Sequence, residues 1–378
     1  MKKLIIILSL ILIFSLVGCK KTDKIAYFRI GISSLGNNYS PYYYQTEGEK
    51  VVVELIHERL FSFDENGNII MDGRIDEPAD LKSKLNFSVG SITERMENDG
   101  SYKYTISIRE DVRTPDGTEI TYKDILFDFY YLLDPSYTGI HDVRSLPILG
   151  IDEYREGVKD AVKLSDAKAQ AQLDLLKISG INLRGESIEI ETTRKLTEEE
   201  LKKLNIFVAP MDYYGNPMLF NIKNNRFGFK KGSITSSQTY KGIGKYQIYK
   251  YGNTEMYFRR NSAYYKGRVP MEYIKLVVIR DKIYDDDGYR TEGGDEFYLI
   301  DNDELDLSFI TLDDTSKEEI KRYNFNLELT GNIISTITLE NNLALVYSTK
   351  RVKGEALLEL NIKNKDDFFN KIVYFSNK

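Results

Sequence analysis

The sequence predicts an α/β fold, because strand, turn and helix patterns follow one another along the chain. Residues 102–109 alternate aromatic or aliphatic with polar side chains, which is typical of a half-buried strand. A turn containing Pro and Gly follows at residues 114–117. Residues 121–133 then place apolar side chains on one face of a helix that Thr121 can cap, and the Asp-Pro pair at residues 134–135 ends it.

Composition places the chain among globular proteins of two or three domains. Its 378 residues are 42% apolar and 29% charged, which is ordinary for a soluble globular protein. The net charge of −6 argues against wholesale nucleic-acid binding. Tyrosine is frequent, at 28 residues, and tryptophan is absent. Tyrosine is suited to contacting varied ligands, although codon bias would produce the same composition.

The N-terminus has the pattern of a bacterial lipoprotein signal peptide. Lys2 and Lys3 precede an apolar run at residues 4–17 that is too short for a comfortable membrane span. The run ends Leu-Val-Gly-Cys, which resembles a lipoprotein cleavage site, and Cys19 is the only Cys of the chain. We therefore predict removal of residues 1–18 and acylation of Cys19, which would hold the protein at the outer face of the membrane. The alternative is a chance Cys after an ordinary signal peptide.

The elements before residue 102 are predicted as strand, loop, helix and turn. Residues 27–32 are predicted as a buried strand, and residues 37–44 form a turn-rich segment that contains four tyrosines. Apolar spacing predicts a helix over residues 49–61, with His57 on one of its faces. A turn is predicted at residues 64–68.

The middle of the chain is predicted as two helices and a short strand. Residues 166–176 have helical spacing, and residues 188–191 alternate as a strand does. Thr197 with Glu200 forms a capping box that opens a charged helix.

The last third begins with a hairpin turn at residues 252–253 and a buried strand at residues 273–279. Residues 285–294 are acidic and polar, and we predict a solvated loop or hinge there. Their acids lack the oxygen spacing of a calcium loop. After Lys350 we expect a few apolar residues and then a short charged tail.

The sequence offers little material for catalysis or metal binding. It has two His residues, His57 and His141, and one Cys, so we expect neither zinc sites nor Ser-His or Cys-His catalysis. Gly242 and Gly244 are not followed by the third Gly or the Lys-Ser/Thr pair of a phosphate loop. We predict a protein that is not an enzyme and has no cofactor, no metal site and no catalytic residue.

Three stretches resemble the peptide/nickel-type substrate-binding proteins of ABC importers. YTISIR at residues 104–109, followed by DGT at residues 116–118, resembles that family's aromatic strand and DGTP loop. GIGKY at residues 242–246 resembles its GTGPY turn, with Lys245 in place of Pro. FRRNSAYYKG at residues 258–267 resembles its LxRNPxYWxG stretch.

The resemblance implies a periplasmic-binding-protein-like fold of class II, oligopeptide type, with lobes around a cleft. It implies that residues 19–46 contain the tether and the start of lobe I, and that residues 47–204 form lobe II. Residues 205–290 would complete lobe I, and residues 291–378 would begin lobe III. Because the resemblance stops after Lys350, we expect a truncated chain with an incomplete third lobe.

The resemblance also implies capture of a ligand without chemistry. An oligopeptide would bind between the lobes and be delivered to the permease subunits of an ABC transporter at the cell membrane. Nickel is less expected because the chain has two His residues. We expect Arg260 and Asn261 to be structural. The candidate ligand-binding residues are Asn38, Tyr39, Tyr42, Tyr43, Gly242, Gly244 and Tyr246.

Two other functions stay open at this point. A surface hydrolase with paired carboxylates is one, although no pair of acids stands out in an apolar setting. A degenerate or truncated binding protein without transport activity is the other.

Overall fold

The computed structural model describes most of the chain that follows the predicted signal peptide. The described residues are 25–64, 66–72, 88–221, 226–228, 230–231, 234, 240–288, 290–330, 334–372 and 375. The predicted signal peptide and Cys19 lie outside the described residues. Among those that are described, no helix is long and apolar enough to cross a membrane.

The strands are numbered here in chain order. They are β1 (Phe28–Ile32), β2 (Glu58–Arg59), β3 (Gly90–Met96), β4 (Tyr102–Ile108), β5 (Ile181–Arg184), β6 (Ser187–Thr192), β7 (Phe207–Val208), β8 (Phe220–Asn221), β9 (Arg226–Phe227), β10 (Tyr246–Tyr251), β11 (Glu255–Arg260), β12 (Tyr273–Val278), β13 (Arg280–Tyr284), β14 (Arg290–Gly294), β15 (Leu307–Thr311), β16 (Ile334–Thr338) and β17 (Leu343–Ser348).

The helices are numbered in the same way. They are α1 (Glu47–Ile56), α2 (Tyr122–Leu133), α3 (Ile151–Ala161), α4 (Asp166–Leu173), α5 (Glu198–Lys203), α6 (Met211–Tyr214), α7 (Glu296–Asp301), α8 (Asp314–Thr330), α9 (Gly354–Glu359) and α10 (Lys365–Lys371), with short 3-10 helices at Val143–Ser145 and Pro217–Leu219.

A large mixed sheet collects strands from three parts of the chain. Its strand order is β10-β11-β12-β1-β15-β17-β16. β1 is parallel to both of its neighbours, β12 and β15, and the other pairs are antiparallel. The hairpin of β10 and β11 turns where the sequence predicts, with the Gly252 N–H donating to the Glu255 carbonyl at 2.8 Å.

A second, smaller sheet is antiparallel and has the strand order β3-β4-β6-β5. The predicted strand is β4, and the predicted turn follows it, with Gly117 at a φ of +88° that favours glycine. The capping box of Thr121 and Asp124 begins α2, which ends at Leu133 before the Asp-Pro pair. The predicted strand, turn and helix of this region are therefore confirmed.

Each sheet has its own hydrophobic core. We call the face of the large sheet that packs with α1 the inner face. The large-sheet core lies on this face and includes Ile30, Val52, Leu55, Phe258, Leu276 and Leu345. The small-sheet core buries α2 with the small sheet and includes Tyr104, Ile106, Ile125, Phe129, Leu132 and Ile190.

The opposite, outer face of the large sheet is covered by α7 over β15–β17. Alternate residues of β15 and β17 point to this side because side chains alternate between the faces of a strand. The apolar cluster there includes Phe297, Leu299, Ile300, Ile310, Ala344 and Val346. Over β10–β12, the outer face carries tyrosine and charged side chains instead.

The prediction that His57 lies inside a helix is wrong. α1 ends at Ile56, and His57 is extended (φ −119°, ψ 162°) while its N–H donates to the Val53 carbonyl. The next two residues form β2, which pairs with β7 from a distant part of the chain. This tertiary pairing ends the helix, although the apolar spacing alone would continue it.

The end of the chain also differs from the expectation. The residues predicted as a few apolar side chains and then a short charged tail form α9 and α10, and Phe368, Phe369 and Ile372 are buried in the large-sheet core. In the predicted acidic loop, Asp285 begins an exposed turn as expected, but β14 follows and pairs with β13. The predicted helix at residues 166–176 ends at Leu173.

The predicted lobe boundaries stay predictions. β1, from the first predicted segment of lobe I, lies between β12, from its second segment, and β15, from the segment assigned to lobe III. The strands β15, β16 and β17, from residues 291–378, therefore continue the sheet that β1 and β12 begin.

We predict that Glu49 is the main support of the tyrosine-rich segment before α1. Its buried carboxylate accepts four backbone N–H groups, from Asn37, Asn38, Gln45 and Thr46, at 2.8 to 3.2 Å. The substitution Glu49→Ala leaves these donors without their charged acceptor and should lower the free energy of unfolding by about 3 kcal/mol. Urea denaturation followed by circular dichroism measures this loss.

A matched control lies two residues earlier in the same helical turn. Glu47 is exposed, so Glu47→Ala should change the free energy of unfolding by less than about 1 kcal/mol. Equal effects of the two substitutions would contradict the role given to Glu49.

Candidate functional site

In the described part of the chain, four segments pass between the two cores, and we call their meeting point the junction. They are residues 39–44, 56–60, 206–208 and 243–246, each of which contributes buried side chains to both cores. The predicted ligand-binding residues lie on or directly beside two of these segments. The structure therefore places both groups of predicted residues, Asn38, Tyr39, Tyr42 and Tyr43 and, 204 positions after Asn38, Gly242, Gly244 and Tyr246, on or beside segments that cross the junction.

The first crossing segment is held by buried tyrosines. Tyr42 and Tyr43 lie in the small-sheet core, and the Tyr42 ring stacks on Tyr131 with centroids 4.2 Å apart. The Tyr42 hydroxyl donates to Asp128 at 2.5 Å, and the Tyr137 hydroxyl donates to the Tyr42 carbonyl at 2.7 Å. These side chains thus fix the backbone of the junction.

The two glycines of the last crossing segment allow a close backbone approach. A Cβ on Gly242 would lie 2.0 Å from the Ile56 carbonyl oxygen, and one on Gly244 would lie 2.5 Å from the Ile56 carbonyl carbon. The Gly244 N–H donates to the Ile56 carbonyl at 2.9 Å, so it is already occupied by the protein. Asn261 donates to the Gly244 carbonyl at 2.9 Å, which is the structural role predicted for it.

Lys245, which stands where the resembling family has Pro, is buried in the junction. Its ammonium donates to the Glu54 carbonyl at 2.9 Å and lies 3.4 Å from a carboxylate oxygen of Glu58. The Tyr264 hydroxyl donates to the same oxygen at 2.8 Å. Burial alone would raise the pKa of Glu58, but Lys245 and Lys266 lower it, so the carboxylate stays ionised.

Both histidines of the chain lie in the junction, and both rings lie near that of Phe207. Their ring centroids are 6.2 Å (His57) and 6.1 Å (His141) from that of Phe207. Burial lowers the pKa of His57 to about 3 and that of His141 to about 4, so both rings are neutral near pH 7. In the described part of the chain, no group of three or more His, Cys, Asp or Glu side chains is placed to hold a metal ion.

The structure reveals a buried carboxylate pair that the sequence interpretation missed. Asp124 and Asp128 lie one turn apart on α2, and burial raises the pKa of both. Asp128 accepts from the Tyr42 hydroxyl and from the Ala209 N–H at 3.1 Å. Asp124 accepts from the Met211 N–H at 2.8 Å and from Thr121. Since protein donors occupy all four carboxylate oxygens, this pair fastens the segment before α6 to α2.

Exposed tyrosines surround the outer edge of the junction, and we call Tyr213, Tyr240 and Tyr251 the tyrosine rim. All three are more than one third exposed. The rings of Tyr240 and Tyr251 meet edge to face with centroids 6.0 Å apart. Tyr39 lies beside the rim: burial, with the nearby Glu49 and Tyr251, raises its pKa to about 12. The rim thus joins α6, on the small-sheet side, to β10 of the large sheet.

Lys241 ties the rim to the turn before α2. Its ammonium lies 3.0 Å from Asp116 and 3.4 Å from Asp212, and 5.7 Å from the centre of the Tyr213 ring. Asp116 belongs to the DGT stretch and Lys241 directly precedes the GIGKY turn. The DGT stretch is therefore in contact with the residue that directly precedes the GIGKY stretch.

The rim residues were present in the sequence but had no distinguishing signal. Tyr213 belongs to a tyrosine pair and Tyr251 to an alternating strand, and neither pattern tells whether the ring is exposed. Conversely, Tyr42, Tyr43 and Tyr246 are almost fully buried. Ligand binding by these residues stays a prediction.

Comparison with known proteins supports the fold. No family model matches the chain, and no curated protein matches it. Among solved structures it is similar to OppA of Haemophilus influenzae, solved in complex with RPPGFSPFR, with 17% identity, coverage of 84% of this chain and 51% of that chain, and a TM-score of 0.50. It is similarly related to the murein tripeptide binding protein MppA of Escherichia coli, with 14% identity, coverage of 84% and 50%, and a TM-score of 0.50.

The chain spans about half the length of these solved structures. At such identities the likeness shows the fold. The chain has the periplasmic-binding-protein-like α/β fold, so the predicted fold class is confirmed.

The buried Asp128 generates a prediction about the pH dependence of stability. Burial raises its folded-state pKa well above the ordinary value, so the folded protein binds this proton more tightly than the unfolded chain does. Wild-type stability should therefore fall as the pH rises from about 4 towards the raised pKa. In Asp128→Asn, the amide oxygen can still accept from the Ala209 N–H, and the amide NH2 group can donate to the Tyr42 hydroxyl oxygen. The Asn side chain does not titrate.

We expect the melting temperature of Asp128→Asn, relative to wild type, to increase between about pH 4 and pH 8. Thermal melts followed by circular dichroism measure this difference. Asp286→Asn, at the exposed turn between β13 and β14, is the control and should leave the melting temperature unchanged. A constant difference for Asp128→Asn across this range would show that the carboxyl is not protonated in the folded protein.

Proposed function

We propose that this protein captures oligopeptides outside the cytoplasm and delivers them, chemically unchanged, to the permease of an ABC transporter. The fold it has in common with OppA and MppA carries the proposal. The second support is the junction, where four chain crossings connect two separate cores. Such an arrangement suits two bodies that close on a ligand by small changes at their connections.

In this proposal the tyrosine rim provides the ligand-binding surface. Each exposed phenol offers an apolar face to a peptide side chain and a hydroxyl to a peptide backbone group. Contacts of this kind tolerate varied side chains, because they recognise what all peptides have in common. The ammonium of Lys241, which lies among these rings and two carboxylates, adds a cation near the rim.

We assign the predicted ligand residues to two roles. Asn38, which is half-buried, and Tyr39, which lies beside Tyr251, would contact the ligand together with the rim. The others would hold the junction on which the rim is mounted: Tyr42, Tyr43, Gly242, Gly244 and Tyr246.

We further propose that Cys19 is acylated and holds the protein at the extracytoplasmic face of the cell membrane. The support is the sequence pattern of charge, apolar run and Cys at the N-terminus. A tether of this kind keeps the captured peptide close to the permease.

Capture is favoured over hydrolysis by the geometry of the acids. The buried pair on α2 has protein donors on every carboxylate oxygen, and Asp128 is fully buried. A general acid or base must reach a bound substrate, directly or through one water. This pair therefore has the raised pKa of a catalytic acid, but it is not placed to reach a bound substrate.

The role of the rim predicts a loss of binding when its rings are removed. Tyr240→Ala combined with Tyr251→Ala should weaken oligopeptide binding about tenfold, because two aromatic contacts are lost. Isothermal titration calorimetry with a mixed pool of short peptides measures this. Tyr284→Ala removes an equally exposed tyrosine from β13 and should leave affinity unchanged.

Three other results would each contradict a different part of the proposal. Unchanged affinity of the double variant would place the peptide elsewhere. A folded wild-type protein that gives no heat with any peptide would favour a degenerate binding protein. New peptide ends after incubation, detected by mass spectrometry, would favour a hydrolase.

Acylation of Cys19 predicts a change of location in the substitution Cys19→Ser. The wild-type protein, expressed in a bacterium that processes lipoproteins, should be recovered with the membrane and have the mass of residues 19–378 plus acyl chains. The variant should be recovered from the soluble fraction without that added mass. A wild-type protein without acyl mass would refute the anchor while leaving peptide capture intact.

A further inference from the structure

Four tyrosines form a continuous patch on the outer face of the large sheet, and none of them belongs to the tyrosine rim. They are Tyr27, Tyr249, Tyr257 and Tyr273. Their rings contact one another edge to face, with centroid distances of 5.3 Å (Tyr27 to Tyr257) to 6.3 Å (Tyr249 to Tyr257). The Tyr27 and Tyr249 hydroxyls are hydrogen-bonded to each other. We call these residues the tyrosine patch.

A β-bulge places both a tyrosine and a lysine on this face. The register of β10 and β11 shifts between Ile248 and Lys250, so that Lys250 pairs with Tyr257. A bulge inserts one extra residue into the strand, so two consecutive side chains can lie on the same face of the sheet. Tyr249 and Lys250 therefore both lie on the outer face, whereas Tyr251 returns to the opposite face and the rim.

The patch is basic although the chain as a whole is acidic. The Lys250 and Lys275 ammonium groups lie 4.8 and 5.3 Å from the centre of the Tyr257 ring, and Arg259, on the same face of β11, is exposed. Glu255 is the acid of this face and pairs with Lys275 at 2.5 Å. Three cations against one anion leave a charge of +2 on the patch, compared with −6 for the whole chain.

The chain enters this patch directly from its predicted lipid anchor. Cys19 precedes Tyr27 by eight residues, which span at most about 28 Å when fully extended. Ile25, between them, is exposed. An acylated Cys19 would therefore hold the patch within reach of the bilayer surface.

We infer that the tyrosine patch lies on the membrane surface and binds anionic lipid headgroups. Tyrosine rings prefer the boundary between water and lipid, because the ring is apolar and the hydroxyl is hydrated. Lysine and arginine side chains beside them are attracted to anionic lipids. The inference rests on the proposed acylation of Cys19. It adds an orientation: the outer face of β10–β12 faces the membrane, and the rim, on the other side of β10, faces away.

The absence of tryptophan from the sequence allows a direct test. Tyr249→Trp in the full, acylated protein introduces the sole indole, within the patch. On vesicles that contain phosphatidylglycerol, its emission should shift to shorter wavelength and its quenching by acrylamide should fall several-fold. Tyr251→Trp, on the same strand but the other face, is the matched control and should show neither change.

The outcomes separate the patch from the anchor. A protein that has acyl mass and floats with vesicles, but whose Trp emission is unchanged, overturns the inference and leaves the anchor standing. A protein without acyl mass refutes the anchor and the inference with it. A concentration-dependent shift without vesicles would assign the patch to contact with a second copy of the chain and would overturn the inference.

A charge variant gives a second measurement. In the Cys19→Ser background, which lacks the anchor, Lys250→Gln with Arg259→Gln should lower partitioning onto anionic vesicles about 25-fold, or about fivefold for each charge removed. Both side chains are exposed, so we expect the variant to fold. Equal partitioning of the variant and its parent would overturn the electrostatic part of the inference.

Discussion

The close approach of the Gly242–Gly244 backbone to the end of α1 is the contact on which the junction depends. Neither glycine has room for a Cβ, and the Gly244 N–H replaces a helical donor at the Ile56 carbonyl. Lys245 then donates to the carbonyl of Glu54, two residues before Ile56. Two carbonyls at the end of α1 are thus capped by the segment that leads into β10. This contact fixes where β10 begins.

The start of β10 decides which tyrosines face which surface. Tyr246 points into the large-sheet core, and the bulge after Ile248 sends Tyr249 outwards and Tyr251 to the rim. A shift of one residue in this strand would exchange the two faces, because side chains alternate along a strand. The proposed ligand surface and the proposed membrane surface therefore both depend on one strand, one bulge and one backbone contact.

Local features were predictable from the sequence, and tertiary ones were not. The capping boxes of Thr121 and Thr197 and the alternation of β4 depend on neighbours within four residues, so their sequence patterns sufficed. His57 leaves the helix because β2 pairs with β7, about 150 residues later, and no local pattern records that partner. Likewise, exposure of Tyr251 and burial of Tyr42 depend on which elements cover them. The sequence therefore pointed to segments that lie at the junction, but it did not identify the side chains that reach solvent there.

A raised pKa alone would have suggested a catalytic site on α2. Asp124 and Asp128 are a buried carboxyl pair of the kind that marks many active sites. The pKa is raised by burial, however, and burial serves structure as readily as catalysis. What decides between them is the position of the donors: the oxygens of the buried Asp128 accept from Tyr42 and Ala209, and those of Asp124 accept from Met211 and Thr121, all within the protein. The phenols of the rim differ from this pair because they are exposed and a ligand can reach them. The proposed reversible capture of a peptide requires such access.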